Sequence, residues 1–230
     1  MRIDTSKWDV DRDGAEIVRS LVDPDLLDQL VETCPEGRAG LRDPLSGWPA
    51  GWKAARIARA YLSDRFDSGT LLSRAILFDK RENANWHLRL HRDVTIAVAR
   101  RVDATGFGPW SLKDGQPHVS PPAEVLEQLV TVRLHLDNAD ERNGCLRVKP
   151  CTHLAGKDIS ADEDLAPERG TPVSARAGDA VLMRPLVLHG SERSTTNTRR
   201  RVLHMEFAFG DLPAPLQWAR VRLEDDAVAG

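Results

Sequence analysis

The sequence predicts a mainly β protein with some α: a jelly-roll β-sandwich carrying an N-terminal helical layer. Three observations lead there. In the first third of the 230 residues, apolar side chains recur at helical spacing. From about Leu72 the texture changes to short apolar runs that alternate with polar residues, the pattern of half-buried strands. Turn signals separate these runs, and several short strands behind a helical segment suit a sandwich with a helical layer. The length fits one domain, residues 1–230, with a helical part over about 1–70 and a jelly-roll core over about 72–218.

The elements follow in order. Asp23-Pro24 opens the run DLLDQLVETC, where Leu26, Leu27, Leu30 and Val31 share a helical face, and Pro35-Glu36-Gly37 ends it. The stretch from Lys53 to about Ser63 repeats the pattern with Ala55, Ile57, Ala58, Ala60 and Tyr61. Between them, Arg42 to Trp52 is rich in Pro and Gly and reads as a loop. Downstream, RAILFDK, NWHLRLHRDVTIAV, LVTVRLHLDN, GCLRVKP, DAVLMRPLVLHG and RRRVLHMEFAF each read as strands. Asn143-Gly144 is a tight-turn signal between two of them, and Gly178-Asp179 starts another. Pro121-Pro122 precedes a short helix, AEVLEQ. Gly156 to about Pro167 is acidic and polar, as in a surface loop or lid-like insertion, and the charged tail after Trp218 is expected to be peripheral.

Composition narrows the function classes. The formal charge is -3 with both signs interspersed, and Arg199-Arg200-Arg201 is too short a basic run to mark a nucleic-acid partner. Three cysteines, Cys34, Cys145 and Cys151, form no C-x-x-C pair, which argues against a disulfide framework or zinc knuckle. The polar N-terminus has no apolar signal core, and no stretch approaches membrane-spanning length. A soluble cytoplasmic protein acting on a small molecule is therefore expected.

The chemistry concentrates in a few positions. His91 and Asp93 stand two apart in a strand-like run, so imidazole and carboxylate would share a face, with Arg92 turned away. His189, ending the run AVLMRPLVLH before a polar loop, is placed to be the third ligand. Two histidines and a carboxylate make a facial triad that leaves Fe(II) positions open for a bidentate 2-oxo acid and O2. Arg200 lies eleven residues after His189, and a hairpin would bring the two side by side. Its planar fork matches the distal carboxylate of 2-oxoglutarate, to which the Ser191 hydroxyl could add a bond.

With these residues in place, the sequence resembles the phytanoyl-CoA dioxygenase family over roughly Leu72 to Trp218. The likeness is carried by NWHLRLHRDVTIAV, GFGPWSLKDGQPHVSPPAEVLE, TVRLHLDNADERNGCLRVKPCTH, AGDAVLMRPLVLHGS and RRRVLHMEF. The resemblance implies a double-stranded β-helix of cupin-like form. It implies Fe(II) held by His91, Asp93 and His189, and 2-oxoglutarate held by Arg200 and Ser191. The tryptophan that approaches the co-substrate in the family corresponds to Trp110. It also implies consumption of O2, release of succinate and CO2, and usually hydroxylation of the substrate. Two departures stand out: HRD replaces the usual H-Q-D, and Cys151-Thr152 replaces Gly-Ser in the segment N-G-x-L-x-V-x-P-G-S-H. Asp93 disfavours a halogenase, in which that carboxylate is replaced by Gly.

For the substrate side, alternation groups His87 and Arg89 with His91 and Asp93. It also groups Thr131, Arg133, His135 and Asp137 opposite an apolar face of Val130, Val132, Leu134 and Leu136. Arg89, Arg133, His135 and Lys113 are the candidate substrate contacts, with His118 near the entrance, and such a lining favours an anionic or amino-acid-like guest. Two other classes compete. A metal-dependent hydrolase would use His87 and His91 as a helical H-x-x-x-H pair, but VTIAV just downstream favours a strand. A non-catalytic cupin-like binding protein would have no need of the complete His, Asp, His and Arg set.

Overall fold

The computed structural model describes residues 4–66 and 69–221. In chain order these form α1 (Val10–Asp13), β1 (Ala15–Val18), α2 (Pro24–Glu32), β2 (Gly40–Arg42), α3 (Pro49–Phe66) and β3 (Leu71–Lys80). There follow β4 (Leu88–His91), β5 (Ile96–Ala97), β6 (Trp110–Lys113), β7 (Gln116–Val119), α4 (Ala123–Leu126) and β8 (Leu129–His135). The last strands are β9 (Leu146–Lys149), β10 (Thr171–Val173), β11 (Ala180–Met183), β12 (Leu188–Ser191) and β13 (Arg200–Ala208). The charged tail is described only as far as Val221, and the rest of it lies outside the described residues.

The strands pair antiparallel throughout. A six-stranded sheet runs β1-β11-β8-β13-β3-β2, a four-stranded sheet β10-β9-β12-β4, and a small third sheet β5-β7-β6. This is the mainly β, cupin-like jelly roll that the alternating runs predict.

The helices form because the sequence gives them starts and one apolar stripe. Asp23 caps α2, its carboxylate accepting from Leu26 N at 2.7 Å, and Pro24 in the first turn needs no donor. Leu26 and Leu30, one turn apart, are buried. Helix α3 begins at Pro49, four residues before the expected Lys53, inside the stretch read as a loop. Its buried stripe is mostly small residues, Ala50, Gly51, Ala54, Ala55 and Ala58, with Leu62 a turn further on, so it packs closely. At Gly51 a Cβ would lie 2.4 Å from the Trp48 ring, so only glycine fits. Both helices cover the apolar face of the large sheet, where Val132, Leu134, Leu203, Met205 and Phe207 are buried.

Three features differ from the sequence reading. The N-terminal part is not only helical, because β1 and β2 edge the large sheet at its two ends. Strands of three or four residues carry too little alternation to be visible. The run DAVLMRPLVLHG splits at Arg184-Pro185 into β11 in one sheet and β12 in the other, since proline cannot continue the ladder. Asn143-Gly144 closes no hairpin: β8 and β9 lie in different sheets, and Gly144 (φ 69) ends a short 3-10 turn capped by Asp140. Among the described residues, no helix is long and apolar enough to cross a membrane.

Candidate metal and co-substrate centre

The two main sheets face each other across a cavity of about 240 Å³. The four-stranded sheet brings the triad to it. His189 on β12 is paired with His91 on β4, and their rings stand 4.3 Å apart. Asp93 lies just beyond β4 in an extended segment, anchored by its N–H donating to Pro185 O at 2.9 Å. The ligand atoms of His91, Asp93 and His189 all fall within 4.8 Å of one another. Each histidine is oriented from behind: His91 Nδ1 donates to Arg89 O at 3.0 Å and His189 Nδ1 to Val187 O at 2.9 Å. Both Nε2 lone pairs are thereby left to face the carboxylate, the orientation a metal-binding imidazole needs. Asp93 Oδ1 stands 3.9 Å from His91 Nε2, and its Oδ2 3.5 Å from His189 Nε2.

Burial pushes the His189 imidazole down to about 3, against the attraction of Asp93, so it is neutral and free to coordinate. Burial alone would raise the Asp93 carboxyl, but the imidazoles of His189, His204 and His91 outweigh it and hold it below the usual carboxylate range. Arg92 does turn away. Its guanidinium donates to Thr152 O at 2.6 Å and to Leu186 O, behind the site. Thr152, at the family's Ser position, accepts from Leu188 N at 2.8 Å and so braces the start of β12. Cys151, where the family has Gly, sits at φ 64 in the left-handed region that glycine favours.

The six-stranded sheet brings Arg200. It is 2% exposed, and among the described residues it has no hydrogen-bond or ion-pair partner. Its neighbours are committed: Arg199 grips Asp79 through two bonds of 2.9 Å, and Arg201 grips Asp137 at 2.9 and 2.8 Å. Burial lowers the Arg200 guanidinium only to about 10, so it stays charged. The expected hairpin is absent, because β12 and β13 belong to facing sheets. Arg200 and His189 meet across the cavity instead. Ser191 also lines it, and its Oγ accepts from Lys80 Nζ at 3.3 Å. Lys80, 0% exposed, also donates to Glu192 O at 2.6 Å and lies 4.9 Å from the Trp86 ring.

The remaining candidates divide. Arg133 lines the cavity and donates to His204 Nδ1 at 2.9 Å, and Lys113 lines it with its Nζ donating to Thr95 at 2.9 Å. Arg89 is exposed and lies outside the lining, where Leu88 stands in its place. The cause is a bulge: from His91 to Leu88, β4 takes three steps against two on β12, which reverses the faces. Gly190 permits this close approach, since a Cβ there would lie 2.5 Å from Leu88 O. Asp137 and Glu206 pair with Arg201 and Arg74 rather than with Arg89. His135 is buried outside the lining, and neither ring nitrogen has a partner among the described residues. Trp110 also lies away, packed beside Arg101 and a second apolar cluster, while Trp86 and Phe78 supply the aromatic walls. His87 is exposed on the approach to strand β4, so no helical H-x-x-x-H pair forms. Sequence reasoning missed Lys80, Arg42, Arg74 and the aromatic walls. They come from β2, β3 and the segment after it; the strand alternation of RAILFDK could have flagged Arg74, Phe78 and Lys80, while nothing local flags Arg42 or Trp86.

Two imidazoles and one carboxylate, facing an unpaired buried guanidinium, have the chemistry to hold a single metal ion with an anion beside it. The phytanoyl-CoA dioxygenase (PhyH) family model matches residues 10–202, and the chain belongs to that family. Its members use Fe(II), 2-oxoglutarate and O2. No curated relative matches by sequence. Among solved structures, AviO1 from Streptomyces viridochromogenes Tue57 superposes with a TM-score of 0.61 at 19% identity, covering 89% of this chain and 93% of AviO1. Iron-bound HygX from Streptomyces hygroscopicus gives 0.62 at 15% identity, covering 94% and 96%. The epimerase SnoN, in complex with Fe3+, alpha ketoglutarate and nogalamycin RO, gives 0.60 at 16% identity, covering 93% of each chain. At these identities the likeness is one of fold.

Proposed function

We propose that this protein is an Fe(II)/2-oxoglutarate-dependent oxygenase that hydroxylates a small polar molecule, with release of succinate and CO2. The observation that carries the reading is Arg200, a buried cation in the same cavity as the His91, Asp93 and His189 triad whose side chain has no partner among the described residues. An unpaired buried charge is costly, and a carboxylate ligand would relieve that cost. In this reading His91, Asp93 and His189 hold Fe(II), which supplies O2 activation coupled to decarboxylation of the 2-oxo acid.

The chain's own groups do the rest. Arg200 takes the distal carboxylate of 2-oxoglutarate in a fork, and Ser191, steadied by Lys80, adds a hydroxyl. Arg133 donates to His204 Nδ1, and His204 Nε2 then donates to Glu206 at 3.2 Å. That chain keeps the imidazole neutral and fixed in one tautomer beside Asp93. Phe78 and Trp86 exclude water from the walls. Hydroxylation is the proposed outcome for a bound C–H. SnoN is an epimerase on the same fold, so product analysis decides between the two.

Anaerobic titration of Fe(II) and 2-oxoglutarate, followed by the weak visible charge-transfer band, tests the centre. His91→Ala, Asp93→Ala and His189→Ala should each abolish the band and coupled succinate formation. A variant that keeps both removes its residue from the metal site.

A further inference from the structure

Beyond the inner cavity lies a second, outer one of about 700 Å³. The two share three lining residues, and all three are cations: Arg42, Arg74 and Lys113. They form a neck. Its place in the fold is set by register. On the inner face of the large sheet, Arg200 pairs with Lys80 at one end of β13 and Glu206 with Arg74 towards the other. Six residues of strand separate the two rows, about 20 Å. Arg42 enters from the edge strand β2, opposite Ile76, and Lys113 from β6. The proposed co-substrate cation and the neck cations thus stand at opposite ends, with the triad between them. Asp93 lies close to His204 and Glu206, and Glu206 contacts Arg74, so the neck is one side chain from the metal ligands.

The charges at the neck do not balance. Arg74 is paired with Glu206. Arg42 Nε reaches Asp114 at 3.1 Å, but Asp114 also serves Arg38. Among the described residues, Lys113 has only the Thr95 hydroxyl. Arg42 Nη1 and Arg74 Nε are buried without a hydrogen-bond partner among the described residues. The outer cavity adds Arg38 and Arg220 against Asp43 and Asp114. Arg42 and Lys113 are each held down by burial and by mutual repulsion with Arg74. Buried donors left unpaired beside a surplus of like charge mark a place where an anion binds.

We propose that this neck binds an anionic group of the substrate, a carboxylate or a phosphate, through Arg42 and Lys113 with Arg74 behind them. The carbon to be oxidised then projects into the inner cavity, and any further bulk occupies the outer one. This rests on the oxygenase reading for what happens to that carbon, and on the neck alone for what is bound. It also moves the anion contact from Arg89 and His135 to residues on β2 and β6.

The test uses protein loaded with Fe(II) and 2-oxoglutarate under nitrogen, so that Arg200 is already occupied and no turnover occurs. Calorimetric titrations with phenyl phosphate, phenylacetate and benzyl alcohol compare phosphate, carboxylate and neutral probes of similar size. At least one anion should bind in the millimolar range or tighter, more weakly as salt is raised, and benzyl alcohol should bind at least tenfold more weakly. Arg42→Gln and Lys113→Gln should each weaken anion binding about tenfold while the metal–2-oxoglutarate absorption band stays. Equal binding of the neutral probe, no anion binding at millimolar concentration, or anion binding unchanged in both variants would overturn the subsite. The anion titration is repeated without metal and co-substrate. If the absorption band never forms but Arg42-dependent anion binding persists, the oxygenase reading fails and the anion site stands.

Discussion

The two faces of the six-stranded sheet are built by the same strands and are both deeply buried, yet they share no chemistry. Every residue of β13 is buried. On one face Leu203, Met205 and Phe207 join Val132 and Leu134 under the helices. On the other, Arg200, His204 and Glu206 join Arg133, Arg74 and Lys80 around the cavity. The apolar face contributes stability in proportion to the area removed from water. The polar face works against stability, since each buried ion loses hydration that pairing only partly restores. Burial alone therefore does not distinguish core from site. What distinguishes them is whether the buried groups are content: the outer face pairs the polar groups it has, Asp79 with Arg199 and Arg201 with Asp137, while the inner face, among the described residues, keeps Arg200 and parts of Arg133 and Arg74 without partners.

If the faces are independent, a change on one should leave the other alone. The largest effect is expected on the outer face. Phe207 is 0% exposed and central to the helix-covered cluster. Phe207→Ala should cost about 3–5 kcal/mol of unfolding free energy, read by urea denaturation. The folded fraction should still bind 2-oxoglutarate with wild-type affinity. Lost affinity at unchanged stability would mean that the helical layer sets the cavity geometry.

On the inner face, Arg200→Ala should do the reverse. Removing one partner of a buried charge pair costs about 2–5 kcal/mol of binding, or roughly 30-fold to a few thousand-fold in 2-oxoglutarate affinity. The unfolding free energy should hold or rise, because an unpaired buried charge is removed. Arg199→Ala and Arg201→Ala provide the contrast: they should lower stability by breaking bidentate pairs with Asp79 and Asp137 and change affinity little. Equal affinity losses in all three would break the assignment of Arg200 to the cavity face.

Much of this contrast was legible in the sequence, because a period of two is a local signal. The alternation in LVTVRLH and RRRVLHMEF separates the faces, and H-x-D with a late histidine and Arg200 brings out the proposed centre. What stayed hidden depends on partners distant in the chain. A bulge opposite Gly190 turns Leu88 inward and Arg89 outward, and nothing in NWHLRLH announces it. The separation of β12 from β13 depends on which sheet each joins, and loop length alone suggested a hairpin. Arg42 sits on a three-residue edge strand that the sequence presents as loop, so its meeting with Lys113 could be seen only in three dimensions.

His135 gives the smallest effect and the sharpest probe of the rule that contentment, not burial, marks a site. It lies on the polar face by alternation, is 0% exposed, and neither ring nitrogen has a partner among the described residues. Unlike Arg200 it does not line the cavity, so no ligand stands ready to satisfy it. Burial, reinforced by Arg133 and Arg200, holds its imidazole down to about 3. Between about pH 6.5 and that value the unfolded chain takes up a proton that the folded one refuses. The histidine's contribution to stability therefore falls as pH is lowered through this window, by up to about 1.4 kcal/mol per unit. Replacing it with a side chain of similar bulk and no polar atoms should help at every pH. His135→Leu should raise the unfolding free energy by about 1 kcal/mol at pH 7.5, and by about 1–2 kcal/mol more at pH 5, with 2-oxoglutarate affinity unchanged. Urea denaturation at the two pH values reads both numbers. A variant less stable than the wild type at both would mean that the ring has a partner after all, and His135 would then belong with Arg199 and Arg201 among the satisfied groups.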